Sequence, residues 1–122
     1  MKLHVSGPGS RNAITGYGDG YVLVNGQRRE SSLIVLPDRI IDWAAAAFDR
    51  LSPESFIFLK DQQPEIVLLG TGPQQRFPHP RLTQPLAAAG IGLEVMDLKA
   101  ACRTYNILVA EERKVAAALL FA

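Results

Sequence analysis

The sequence predicts an α/β fold in which a central, partly parallel mixed sheet is covered by helices and joined to an antiparallel β layer from the N-terminal third. Three observations carry this reading. Asn25-Gly26, between two apolar β-type runs, is the strongest short-range hairpin signal, because both residues tolerate positive φ. Residues 65–69, Glu-Ile-Val-Leu-Leu, make an almost continuous apolar run ending at Gly70, the pattern of a strand buried on both faces. From that point strand, helix, strand, helix and strand follow one another, the order that sets parallel strands side by side through helical crossovers.

Taken in order, residues 13–17 and 21–24 are short β segments around Gly18-Asp19-Gly20, whose glycines suit a tight hairpin. Asn25-Gly26 turns the chain into a strand over 27–36 that ends in Leu33-Ile34-Val35-Leu36, completing an antiparallel meander. Pro37 stops it. Ile40, Ile41, Ala44, Ala47, Phe48 and Leu51 then recur at helical steps, so periodicity predicts a helix over 38–51. Ser52-Pro53-Glu54 reads as a cap, a first-turn proline and an acid favoured by the helix dipole, opening a helix through about residue 60. A helix over 80–89 follows the buried strand, with Pro85 expected to kink it or shift its start and Gly90 to end it. Residues 91–96 form another strand, Asp97 caps a helix running to about residue 112, and 114–121 close as an apolar strand.

At 122 residues the chain suits one domain, 1–122, without internal repeat or linker, and 48% hydrophobic residues provide a core. With 13 Lys plus Arg against 12 Asp plus Glu, the net charge of +1 gives no field to concentrate the protein on phosphate backbones, so nucleic acid is excluded as a partner. One cysteine, Cys102, forms no internal disulfide and fits a reducing compartment. No run approaches membrane-spanning length, and the opening residues reach Ser6, Gly7 and Pro8 before a signal-type apolar stretch accumulates. The expected setting is the cytoplasm, with no membrane insertion.

Gly70-Thr71-Gly72, Gly90-Ile91-Gly92-Leu93-Glu94-Val95-Met96-Asp97, Ala101-Cys102-Arg103-Thr104-Tyr105-Asn106 and Ala110-Glu111-Glu112-Arg113 occur in this order over most of the chain. In these the sequence resembles the domain-of-unknown-function 498 family, of Mth938-like fold, which holds the alpha-subcomplex assembly factor of mitochondrial NADH dehydrogenase. The resemblance implies three layers, a central mixed sheet between helices with an additional antiparallel N-terminal β layer. It also implies an extended segment through Trp43, where periodicity favours helix. For function it implies a protein that assists the assembly of another complex.

Among candidate sites, Gly70-Thr71-Gly72 lies where a strand ends and exposed amides and a hydroxyl can cradle an anion, with Arg76 as counter-charge. The full phosphate-loop spacing is absent, and two glycines at such a turn are more often required by backbone bending. Arg103 and Asn106 are expected on the exposed side of their helix, three positions apart, holding one carboxylate or phosphate between them. The competing reading ties them to Glu94, Asp97 or Glu111. Cys102 shares a stripe with Leu98, Ala101, Tyr105, Leu108 and Val109, which faces the sheet, and His4 and His79 are far from it, so an inert thiol is expected.

The carboxylates Glu94, Asp97, Glu111 and Glu112 read as solvated charge at element ends, and two isolated histidines with one cysteine offer no zinc spacing. No cofactor, metal or catalytic residue is predicted. Phe77-Pro78-His79-Pro80 projects an aromatic ring and an imidazole and is the place to look for a partner. The leading expectation is therefore a non-enzymatic interaction or assembly-factor-like domain with a protein partner. The alternative is a binder of a small anionic or phosphate-bearing ligand using Gly70, Thr71, Gly72, Arg76, Arg103 and Asn106. Self-association through edge strands or the apolar tail 116–122 is a third.

Overall fold

The computed structural model describes residues 11–122. Strands β1 (Ile14–Gly18), β2 (Tyr21–Val24) and β3 (Gln27–Arg29) form an antiparallel sheet in the order β1-β2-β3. Asn25 and Gly26 connect β2 to β3 with φ of 53° and 81°, the doubly left-handed turn whose twist matches a hairpin. Strands β4 (Leu33–Leu36), β5 (Arg39–Asp42), β6 (Ile66–Thr71), β7 (Gly92–Met96) and β8 (Val115–Leu120) form a second sheet ordered β5-β4-β8-β6-β7. In it β6 runs parallel to β7 and β8, while β4 is antiparallel to β5 and β8. The sheet is mixed, as the element order predicts.

Two expectations need correction. The single strand expected over 27–36 is two strands in different sheets: β3 begins with exposed Gln27 and Arg28, whereas Leu33–Leu36 is buried throughout, and Glu30, Ser31 and Ser32 carry the chain between layers. The helix expected over 38–51 is absent. Pro37-Asp38 turns the chain in two residues so that Leu36 pairs with Arg39, and Ile40 and Ile41 pair with Val35 and Ile34. Neighbouring isoleucines then face opposite sides of the sheet, each packing against a different core, which a strand allows and a helix does not. Trp43 prolongs the extended path by donating its amide to the Ser32 carbonyl at 3.1 Å, and a single 3-10 turn, Phe48–Arg50, follows.

The same alternation divides the interior. Val115, Ala117 and Leu119 of β8 face one core and Ala116, Ala118 and Leu120 the other; Leu68 of β6 faces the first, Val67 and Leu69 the second. The first core is covered by helix α3 (Leu98–Ala110) and the small sheet, through Ala101, Cys102, Tyr105, Val22 and Val24. The second is covered by α1 (Pro53–Asp61) and α2 (Pro80–Ala88), through Phe56, Leu59 and Leu86. The result is three layers with the five-stranded sheet in the middle.

Local signals fix the helix ends. Ser55 Oγ accepts the Ser52 amide at 3.1 Å ahead of Pro53, and Asp97 Oδ1 accepts the Ala100 amide at 2.8 Å. Pro85 lies inside α2, whose start stays at Pro80. Beyond α2, the Gly90 amide bonds the Ala87 carbonyl and the Ile91 amide the Leu86 carbonyl, with Gly90 at φ 72°.

Candidate functional site

The loop leaving β6 is organised by one side chain. Thr71, 1% exposed, donates its hydroxyl to the Gln74 carbonyl at 2.6 Å and accepts the Arg76 amide at 3.0 Å. Gln75 Nε2 donates to the Val95 carbonyl at 2.9 Å, tying the loop to β7. Both glycines have packing reasons. A Cβ on Gly70 would stand 3.0 Å from the Ala101 Cβ and 3.1 Å from the Leu119 Cδ2, so its absence lets α3 approach β6. Gly72 has φ 82°, and its carbonyl accepts the Leu98 amide at 2.8 Å.

Beside this loop lies a cleft of about 420 Å³ at the carboxyl ends of the parallel strands, the usual place for a ligand in an α/β sheet. Gly72, Pro73, Asp97, Lys99 and Arg103 line it, together with the turn between β1 and β2. Its polar groups are already matched within the protein. Arg103 Nη1 donates to the Tyr17 hydroxyl at 3.2 Å, a bond that raises the Arg103 pKa above its ordinary value. Lys99 Nζ is 3.3 Å from the Asp19 carboxylate across the mouth. At the start of α3 the Leu98 amide is taken by the Gly72 carbonyl and the Ala100 amide by the Asp97 carboxylate, which occupies the place an anion would take. This geometry lends no support to a bound anion.

The six predicted site residues are not gathered in one place. Gly72 and Arg103 line the cleft, with Gly70 and Thr71 in the packing behind it. Arg76 turns away: its Nη2 is 3.0 Å from Asp49 Oδ1 and its guanidinium lies 4.1 Å over the Phe48 ring, joining the loop to the 3-10 turn. Asn106 Oδ1 accepts the Ile14 amide and its Nδ2 donates to the Ile14 carbonyl. Arg103 and Asn106 thus bond β1 rather than Glu94, Asp97 or Glu111, because β1 packs alongside α3. No local pattern announces Tyr17 or Ile14 as their partners, which lie 86 and 92 residues away.

Cys102 is fully buried in the first core, and burial pushes its thiol pKa up to about 12. His79 Nδ1 accepts the Arg81 amide at 3.0 Å and caps α2, while His4 lies outside the described residues. Trp43 is buried with its ring edge-on to Phe56 at 6.5 Å, and its Nε1 has no hydrogen-bond partner among the described residues. Among those residues no group of three His, Cys, Asp or Glu side chains is placed to hold a metal, and no helix is long and apolar enough to cross a membrane. What the site does present is the far side of its loop, where Phe77 stands 71% exposed.

Known proteins resemble the chain at both levels. A family model described as protein of unknown function DUF498/DUF598 matches residues 14–120. The NADH dehydrogenase [ubiquinone] 1 alpha subcomplex assembly factor 3 of Danio rerio is 35% identical over 99 residues, 80% of this chain and 57% of that protein. The chain therefore spans less than two thirds of that relative's length. A crystal structure of a Bordetella parapertussis protein matches with a TM-score of 0.89 and 36% identity, covering 95% of this chain and all of that one. A solution structure from Bordetella pertussis, described as a Mth938-like domain, matches at 0.78 with 32% identity over 98% of this chain and 92% of its own. With the family pattern spanning both sheets and all three helices, the chain belongs to the DUF498/DUF598 family.

Proposed function

We propose that the chain is a non-enzymatic interaction domain that assists the assembly of the respiratory NADH dehydrogenase, working through a protein partner. The observation that carries this is its alignment, over four fifths of its length, with proteins named for assembling that complex. Supporting it, the titratable side chains near the cleft serve as caps and cross-links, and the one cysteine is buried with its thiol protonated at neutral pH. General acid and base work needs groups aimed together at a substrate, and here Arg103 and Lys99 are aimed at the protein's own side chains and Asp97 at its backbone. The proposed setting is the cytoplasm, on the reducing environment that a lone thiol favours.

The test is deletion of the coding sequence in the protein's own cells, followed by native electrophoresis of the respiratory complexes. The expected result is less fully assembled NADH dehydrogenase with accumulation of smaller subcomplexes, restored by re-expression of the chain. Unchanged assembly in the deletion overturns the proposal.

A further inference from the structure

Phe77 is the most exposed of the large hydrophobic side chains among the described residues. A single exposed apolar residue is ordinary. This one is displayed by a loop that the protein fastens on both sides: the Thr71 hydroxyl closes it at Gln74 and Arg76, Gln75 bonds the Val95 carbonyl, and Arg76 is pinned between Asp49 and the Phe48 ring. Pro78 and Pro80 restrict the backbone on the other side of the ring. An aromatic ring left in water adds nothing to the core. With its backbone already fixed by the loop, the residue has less conformational entropy to lose when a partner closes over it, which is how buried aromatic hot spots gain affinity.

The charged side chains of the loop and α2 are cationic only, and one carboxylate, Asp49, reaches them from the 3-10 turn. Between Glu65 and Glu94 the sequence contains no Asp or Glu, and this stretch supplies both the loop and α2. Arg76 and Arg81 are exposed on it; Arg76 is matched by Asp49, whereas Arg81 forms no salt bridge among the described residues. Thr83 and Gln84 add neutral polar groups on the same helix. With Arg76 offset by Asp49, Arg81 leaves the patch a net positive charge, which favours an acidic partner over a basic one.

Resting on the interaction-domain reading above, we propose that Phe77 anchors a docking surface for an acidic protein segment. That segment places an apolar side chain against the ring and its carboxylates near Arg81 and Arg76. The buried threonine of the Gly70-Thr71-Gly72 turn then holds the anchor in position.

A phage-displayed random dodecapeptide library selected on the intact chain tests this directly. Enriched peptides are expected to combine acidic residues with an aromatic or aliphatic one and to weaken at higher salt. Each should lose about ten-fold in affinity to Phe77→Ala, and also to Arg81→Glu, both exposed sites whose circular dichroism should match the wild type. Peptides without acidic enrichment, or ones that bind both variants as tightly as the wild type, overturn the docking surface. Re-expressing Phe77→Ala in the deletion strain separates the two proposals. If the wild type and Phe77→Ala restore assembly equally, the docking surface fails and the assembly role stands; if deletion leaves assembly normal, the assembly role fails and the peptide selection still judges the surface.

Discussion

The side-chain amide of Asn106 grips both backbone groups of Ile14: Oδ1 accepts the Ile14 N–H at 3.0 Å, and Nδ2 donates to the Ile14 carbonyl at 2.7 Å. Ile14 opens β1, an edge strand of the small sheet, and is only 4% exposed. The asparagine on α3 therefore does what a neighbouring strand would do, and in doing so fastens the N-terminal layer to the rest of the protein.

Replacing Asn106 with Ala leaves two largely buried backbone groups unpaired, and the stability lost should be about 2 kcal/mol. Chemical denaturation measures the loss, and faster hydrogen exchange at the Ile14 amide would locate it at the interface between layers. A change under about 0.5 kcal/mol would mean that water replaces the amide without cost.

Thr71→Val keeps the shape of the side chain and removes the hydroxyl that closes the loop. The expected cost is about 1–3 kcal/mol, with loss of protection at the Arg76 amide while the amides of β6 stay protected. Uniform loss of protection across β6 would show that the hydroxyl supports the sheet rather than the loop.

Glu112 follows the end of α3 at φ 61°, with its amide bonded to the Val109 carbonyl and the Arg113 amide to the Leu108 carbonyl. This is the left-handed position that glycine occupies at Gly90 after α2. Glu112→Gly should raise stability by about 0.5–1 kcal/mol, and Gly90→Ala should lower it by about 1 kcal/mol. Thermal unfolding of the pair reads both signs, and a destabilised Glu112→Gly would contradict the strain argument.

Glu65 accepts the Lys114 amide at 3.0 Å and the Arg113 Nε at 3.2 Å, and these bonds, the backbone one first, hold its carboxyl below the ordinary value of 4.5. A depressed carboxyl stabilises the folded state above its unfolded pKa, and that contribution disappears as pH falls through the folded value. The stability difference between wild type and Glu65→Gln should therefore be constant near neutral pH and shrink below about pH 4.5. A difference independent of pH down to strongly acid conditions would assign the effect to the neutral hydrogen bond alone.

Cys102 should not react with a thiol-specific disulfide reagent at pH 8, because its thiol titrates near 12 and lies in the core. Reaction should begin only when denaturant opens the protein, with a rate that follows unfolding. Immediate reaction in the native state would contradict its placement against the sheet.

Much of the fold was legible because its signals are local. Asn25-Gly26 can turn a chain only where positive φ is tolerated, the Ser52 and Ala100 amides find side-chain acceptors three residues away, in Ser55 and Asp97, and the apolar run ending at Gly70 has no polar face to put in water. Local periodicity failed at residues 38–51, where Ile40 and Ile41 stand beside two cores at once, an arrangement that a one-dimensional pattern reads as part of a helical stripe.

Propensity, capping and burial act over a few residues, so the β-rich start, the alternating second half and the buried, sheet-facing place of Cys102 were readable along the chain. Where the candidate site residues point was settled by contacts between distant parts of the chain. Arg76 meets Asp49 across 27 residues, and Arg103 and Asn106 meet β1 across 86 and 92, contacts set by how the layers stack rather than by any spacing along the chain. A side chain exposed on a helical wheel is free to bind only if its polar atoms are not already bonded, and here Asn106 is exposed yet engaged by the Ile14 backbone while Phe77, on a fastened loop, is left in water.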